Sequence, residues 1–316
     1  MSDLNMAPGL PEAPQSPPQN PPKTRRQKAG KSNSLWSDAW YDLRHSKVFI
    51  VGSVIAVILI LMAIVPGLFS PVNAFDSSTC NLVDARKGIS SAHWFGTDNL
   101  GCDTYSRVIY GARVSIMVGI LTSVVTGLVG GVLGLIAGFY GRWVDVVLSR
   151  AAEIFFAIPS ILGALLILAV VGRSNAGVGT VVLAMSVLAW PMVLRIMRAS
   201  VISTKNQDYI TAARALGASP MRISIKHILP NAIAPVIVVC TMNLGVFIAG
   251  EAALSFLGVG IQSPGISWGL MIADARNRFL MAPEPLIFPA VFLSITVLCF
   301  VMIGDAVRDA LDPKLR

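Results

Sequence analysis

Charge is what this chain has least of. Asp, Glu, Lys and Arg supply 13% of its 316 residues, apolar types supply 54%, and the mean hydropathy is +0.68. A soluble domain carries roughly a quarter charged residues, so this balance excludes an ordinary soluble fold. Histidine is also scarce. His45, His93 and His227 are the three present, with no HExxH among them, which removes a zinc-peptidase site. No GxxxxGK[ST] run occurs, so the chain has no P-loop with which to bind ATP. The ten-residue alternation of a membrane barrel is missing as well.

What is there is a set of long apolar blocks. Six of them, at 48–69, 114–140, 144–171, 178–201, 232–257 and 286–303, reach helix length, and about 20 helical residues cross a hydrocarbon core. The expected fold class is therefore an all-α membrane protein of six transmembrane helices. The first block lies too far from the N-terminus, and is too long, for a cleaved signal peptide, so it reads as a retained span. With the N-terminus inside, 18 of the 25 Lys and Arg residues fall on the cytoplasmic side. The positive-inside rule then sets both termini in the cytoplasm. The net charge of +8 has this explanation, and nucleic acid is not an expected partner because the basic residues are scattered along membrane-flanking segments.

Residues 1–34 are Pro-rich and then basic, too poor in apolar residues to fold, and read as a disordered cytoplasmic tail near anionic lipid. Residues 35–316 form the membrane domain. Within it, 70–111 reads as an extracytoplasmic loop and 205–231 as a cytoplasmic hairpin. Cys240 and Cys299 fall inside apolar spans and read as packing residues. Cys80 and Cys102 share the outer loop, where oxidation is permitted; they either pair or remain separate thiols.

Several residues inside the spans stand out. Gly130, Gly134 and Gly138 repeat every four residues in the second span, beside Gly127 and Gly131, and bare one helix face for close packing. Pro159 and Pro191 each remove a backbone donor and are expected to bend the third and fourth spans. Glu251 is the clearest ionisable residue at membrane depth. It must face protein, water or a partner, as a pathway or gate residue or as a hydrogen-bonded link between helices. Glu153 lies nearer the cytoplasmic interface.

The hairpin is punctuated clearly. Strong helix formers fill 209–216, and Gly217 suits a left-handed stop. Ser219 suits an N-cap, with Pro220 at the first helical position. Met221, Ile225 and Ile228 then give one apolar stripe among Arg222, Lys226 and His227. Such an element either lies on the membrane surface or fits a groove on a partner.

Thr211-Ala212-Ala213, then Gly217, then Leu229-Pro230 resembles the EAA loop of importer-type ABC permeases, with Thr211 at the glutamate position and His227 at a usually apolar one. The wording KHILPN is similar to that of the peptide-importer branch. His93 to Ile116, reading HWFGTDNLGCDTYSRVIYGARVSI, resembles the HWFGTD-x-x-GRD segment of dipeptide and oligopeptide permeases, with Cys102 at the usual Arg, which favours its pairing with Cys80. ALSFLGVGIQSPGISWGLMI (253–272) and GDAVRDALDPKLR (304–316) match two more stretches. The chain thus resembles the C-type permease subunit of a dipeptide or oligopeptide ABC importer, over about 36–316.

The resemblance implies the type I importer fold in the bacterial inner membrane and a transport subunit that is not itself an enzyme. It also implies a second homologous permease, two ATP-binding subunits that hold ATP and Mg²⁺, and an extracytoplasmic peptide-binding protein. Thr211, Ala212, Ala213, Gly217, Ser219, Leu229 and Pro230 would couple to the ATPase, with Glu251 at the pathway. Nickel or another small solute is the alternative cargo within the family. An ion-gradient transporter working through Glu251 is the alternative outside it, and an intramembrane enzyme is disfavoured by the sparse histidines.

Overall fold

A computed structural model of the chain describes residues 35–172 and 177–311. The sequence-based tail at 1–34 and the last residues of the C-terminal motif lie outside them. Among the described residues every regular element is a helix. In chain order these are α1 (Leu35–His45), α2 (Lys47–Ile64), α3 (Thr104–Tyr140), α4 (Arg142–Phe156), α5 (Ser160–Val171) and α6 (Val178–Lys205). There follow α7 (Asp208–Ala215), α8 (Pro220–Arg222), a π-helical turn (Ile223–Ile228), α9 (Leu229–Ala232), α10 (Ala234–Phe256), α11 (Trp268–Ala275) and α12 (Glu284–Leu311).

Among the described residues five helices, α2, α3, α6, α10 and α12, are long and apolar enough to cross a membrane. The sixth expected span is a bent pair, in which α4 and α5 meet at 85°. The two prolines expected to bend their helices behave differently. Pro159 stands between α4 and α5 as the residue preceding the second, whereas α6 runs through Pro191 without a break. Pro191 is buried.

The segment expected as the outer loop is shorter than the apolar pattern suggests, because α3 begins at Thr104 and takes the end of 70–111. The helix starts there because Asp103 caps it, accepting from the Ser106 N–H at 2.8 Å. Tyr105, Arg107 and Arg113 make its first turns polar and hide them from a hydropathy reading. His93 Nδ1 lies 3.0 Å from Asp103 Oδ1. Asp98 accepts from the N–H groups of Leu100 and Cys102 and pairs with Arg107. The HWFGTD stretch thus folds onto the N-terminal end of α3.

Cys80 and Cys102 are joined by a disulfide. A link closing a loop of this length removes about 3 kcal/mol of chain entropy from the open loop. Cys102→Ser is therefore expected to make residues 70–103 sensitive to protease in the purified protein. Unchanged digestion of that segment would show that its other contacts hold it alone.

The glycine face of α3 is an internal seam. A Cβ at Gly130 would sit 2.6 Å from the Trp190 carbonyl oxygen, and one at Gly134 2.6 Å from that of Leu194. One at Gly138 would meet Val201 Cβ at 2.8 Å. The stripe lets α3 and α6 approach to backbone contact, while a Cβ at the adjoining Gly131 would meet open space. Gly134→Ala should accordingly cost about 1–3 kcal/mol by overpacking, and Gly131→Ala should be neutral or stabilising by up to about 1 kcal/mol. Thermal unfolding of the two variants in one detergent reads the difference, and equal shifts would contradict the seam.

Candidate coupling hairpin and intramembrane carboxylate

The hairpin between α6 and α10 is built on local hydrogen bonding. At the end of α7, the Gly217 N–H bonds the Arg214 carbonyl at 3.0 Å and the Ala218 N–H bonds that of Ala213 at 3.1 Å. This double closure is the Schellman arrangement, and it requires a left-handed residue at Gly217, where φ is +81°. Ser219 then opens the next turn, its hydroxyl accepting from the Arg222 N–H at 3.4 Å with Pro220 at the first position. Thr211, Ala212, Gly217, Ser219 and Pro230 are exposed, and Ala213 and Leu229 are partly covered.

The apolar stripe differs from the one that α-helical spacing suggests. Ile223–Ile228 is a π turn, whose extra residue per turn rotates the side chains relative to an α-helix. Ile223 and Ile228 therefore point inward. With Ile210, they pack against Val193, Met197 and Val201 of α6, fixing the hairpin to that helix. Met221 and Ile225 are left outside, 68% and 48% exposed, together with Leu216 at 89%. Arg214, Arg222 and Lys226 are exposed on the same hairpin. Tyr209 is 45% exposed, and partial burial pushes its phenol up. Leu216 was not singled out by sequence, because it ends a helix whose periodicity stops there.

Glu251 lies on α10 with no exposed surface. Three hydroxyls converge on its carboxylate. Ser255 and Ser267 donate to Oε1 at 2.7 and 2.9 Å, and Ser115 donates to Oε2 at 3.1 Å. Each hydroxyl also accepts a backbone N–H, from Ile261, Leu270 and Trp268 respectively. Those bonds aim the three protons at the carboxylate, which is the acceptor a carboxylate is suited to be. The node joins α3 through Ser115, α10 through Ser255, and the N-cap of α11 through Ser267. Trp268, fully buried, adds its indole N–H to the Val108 carbonyl at 2.9 Å. Of the two sequence readings of Glu251, the geometry here is that of a link between helices, and Glu251 is absent from the lining of the cavity beside α10. Ser255, four residues on, was visible as a helical neighbour of Glu251. Ser115 and Ser267 were not, since only the fold brings them there.

Residues 130–316 match the family model described as "Binding-protein-dependent transport system inner membrane component", and residues 34–82 match "N-terminal TM domain of oligopeptide transport permease C". The chain is 43% identical over 286 residues to the oligopeptide transport system permease protein OppC of Bacillus subtilis (strain 168), covering 90% of this chain and 92% of that one. It is 40% identical over 283 residues to the dipeptide transport system permease protein DppC of Alkalihalophilus pseudofirmus, covering 90% and 91%. It is 37% identical to the glutathione transport system permease protein GsiD of Escherichia coli O6:K15:H31, covering 89% and 91%. Among solved structures, a chain of the MetNI methionine ABC transporter in an inward facing conformation aligns at 24% identity. That alignment has a TM-score of 0.49 and covers 65% of this chain and 96% of that one.

Proposed function

The chain belongs to the family of binding-protein-dependent transport system inner membrane components, and from that membership we propose that it is the C-type permease subunit through which di- or oligopeptides enter the cell. It is an integral protein of the bacterial inner membrane, a permease of an ABC importer with the type I fold. Its relatives named for oligopeptides, dipeptides and glutathione share an amide-backbone cargo, and this supports peptides over nickel or another small solute.

The observation that carries the coupling part is the hairpin. An ordered turn presents Leu216, Met221 and Ile225 to a neighbour, with basic residues around them, and is fastened by Ile210, Ile223 and Ile228 to the end of α6. A push on that surface is transmitted to a membrane-crossing helix. We assign the surface to the ATP-binding subunits, two per importer, which would hold ATP and Mg²⁺, while this chain has no ATPase site of its own. Thr211, Ala212, Ala213, Gly217, Ser219, Leu229 and Pro230 shape that contact. A second permease of related fold and an extracytoplasmic peptide-binding protein complete the assembly. Both termini and the hairpin are cytoplasmic in this reading. Glu251 acts on the pathway indirectly, by holding α11 to α3 and α10 as the bundle alternates between inward and outward access.

Co-expression with the neighbouring subunits, purification and reconstitution test this. Two ATP-binding subunits and a second permease should co-purify, and peptide-loaded binding protein should stimulate ATP hydrolysis and peptide uptake. Peptide uptake that continues without ATP would instead favour an ion-gradient transporter.

A further inference from the structure

α10 has two faces of opposite character. Glu251 is sealed inside the chain, but the adjoining Gly250 opens on a cavity of about 340 Å³ between α5, α6 and α10. Met185 and Leu188 line it from α6, Ser160 from α5, and Val246, Gly250 and Ala253 from α10. One turn further along the same seam lies Asn243, near the middle of its helix and partly exposed. Among the described residues, the hydrogen-bond partner of its carboxamide is the Met192 thioether, at 3.9 Å.

A carboxamide brings two donors and an acceptor, and a thioether is a weak acceptor. Hydrocarbon offers nothing to the rest, and polar groups at membrane depth turn toward protein, water or solute. This seam of α6 and α10 is therefore not a lipid-facing surface. What meets it must supply hydrogen bonds at Asn243 and apolar bulk at the cavity. A peptide in extended form does both, since its backbone repeats an N–H and a C=O whatever its sequence and its side chains vary in size. Met185 and Met192, flexible and polarizable, suit variable side chains.

We propose that Asn243 and this cavity form a peptide-contact segment of the translocation path, the carboxamide pairing with backbone amides of an extended peptide and the cavity receiving a side chain. The assignment rests on the importer reading above and names the surface on which that cargo is handled.

The test uses the complete importer in proteoliposomes, with Cys240→Ser and Cys299→Ser in this chain and with Asn243→Cys added. A charged, membrane-impermeant methanethiosulfonate should modify residue 243 when the complex is trapped open to the outside. Saturating di- or tripeptide should slow that modification about tenfold. Peptide uptake by the complex without N243C checks the importer reading separately. No modification in either trapped state, in a complex that takes up peptide, overturns the proposal, because the face is then covered by a partner subunit. Modification that peptide leaves unslowed in such a complex overturns it too. N243A provides a second reading. Loss of one backbone hydrogen bond should raise the KM for uptake about tenfold. An unchanged KM counts against the contact.

Discussion

Leu216→Asp is expected to detach the ATP-binding subunits from the membrane complex and to abolish ATP-driven uptake, while the chain itself still folds. Leu216 has 89% of its surface open to solvent, and Met221 and Ile225 stand out beside it. Little of its surface is covered within the chain, so the fold should not notice. A central apolar anchor at a protein interface is worth about 2–4 kcal/mol, and burying an unpaired carboxylate in its place adds a desolvation penalty. The dissociation constant should therefore rise by about two to three orders of magnitude. Pull-down of the ATP-binding subunits on the tagged permease reads this directly. Full retention of those subunits would move the contact away from the hairpin.

Gly217 separates two explanations of the same surface. Its φ of +81° disfavours residues with a Cβ, yet a Cβ there would meet no atom of this chain within 4 Å. Asn tolerates the left-handed conformation, and a β-branched residue does not. If Gly217 serves only the turn, Gly217→Asn should couple normally and Gly217→Val should fail. If the partner seats against the bare glycine, both should fail, with ATP hydrolysis released from peptide uptake. Normal uptake with both changes would remove Gly217 from the coupling machinery.

The parts of this fold legible in the sequence are those governed by local chemistry. The apolar blocks marked the spans, and Gly217, Ser219 and Pro220 marked the turn, because each depends on its own backbone preference. Features decided by the neighbours were not legible. Pro159 and Pro191 look alike in sequence, yet one caps the start of α5 and the other lies within α6. The eight-residue α11 is too short to register as a periodic pattern, and α1 too stands as a separate short helix before the first span. Met221, Ile225 and Ile228 stand four and three residues apart, as on one face of an α-helix, and a π turn sends the last inward while the first two stay out. The glycine stripe showed that α3 packs closely, but not that α6 is its partner. Glu251 stood out as a buried carboxylate, and two of its three hydroxyl partners come from parts of the chain that no spacing rule connects to it.

Glu251→Ala should be far more damaging than Glu251→Gln, and the ratio between them reports what the carboxylate does. Alanine leaves Ser115, Ser255 and Ser267 without their common acceptor in a dry site and opens a void. Leaving three buried hydroxyls without an acceptor beside a new void costs about 3–5 kcal/mol. The N-cap of α11 would loosen, and residues 258–275 should gain hydrogen exchange while α3 and α6 keep theirs. Peptide uptake should fall below detection. Glutamine keeps the shape and one carbonyl oxygen. Placed on Oε1, that oxygen still accepts from Ser255 and Ser267. Its amide then meets Ser115 alone, whose oxygen can accept a second hydrogen bond. A strut therefore survives in part, with uptake reduced by about tenfold, the equivalent of one hydrogen bond. A carboxylate that carried protons or ions through the membrane would behave differently. Glutamine cannot titrate, so E251Q would be as inactive as E251A, and the native uptake rate would follow the ion gradient. Equal loss in the two variants, with α11 exchange unchanged, would return Glu251 to the pathway itself.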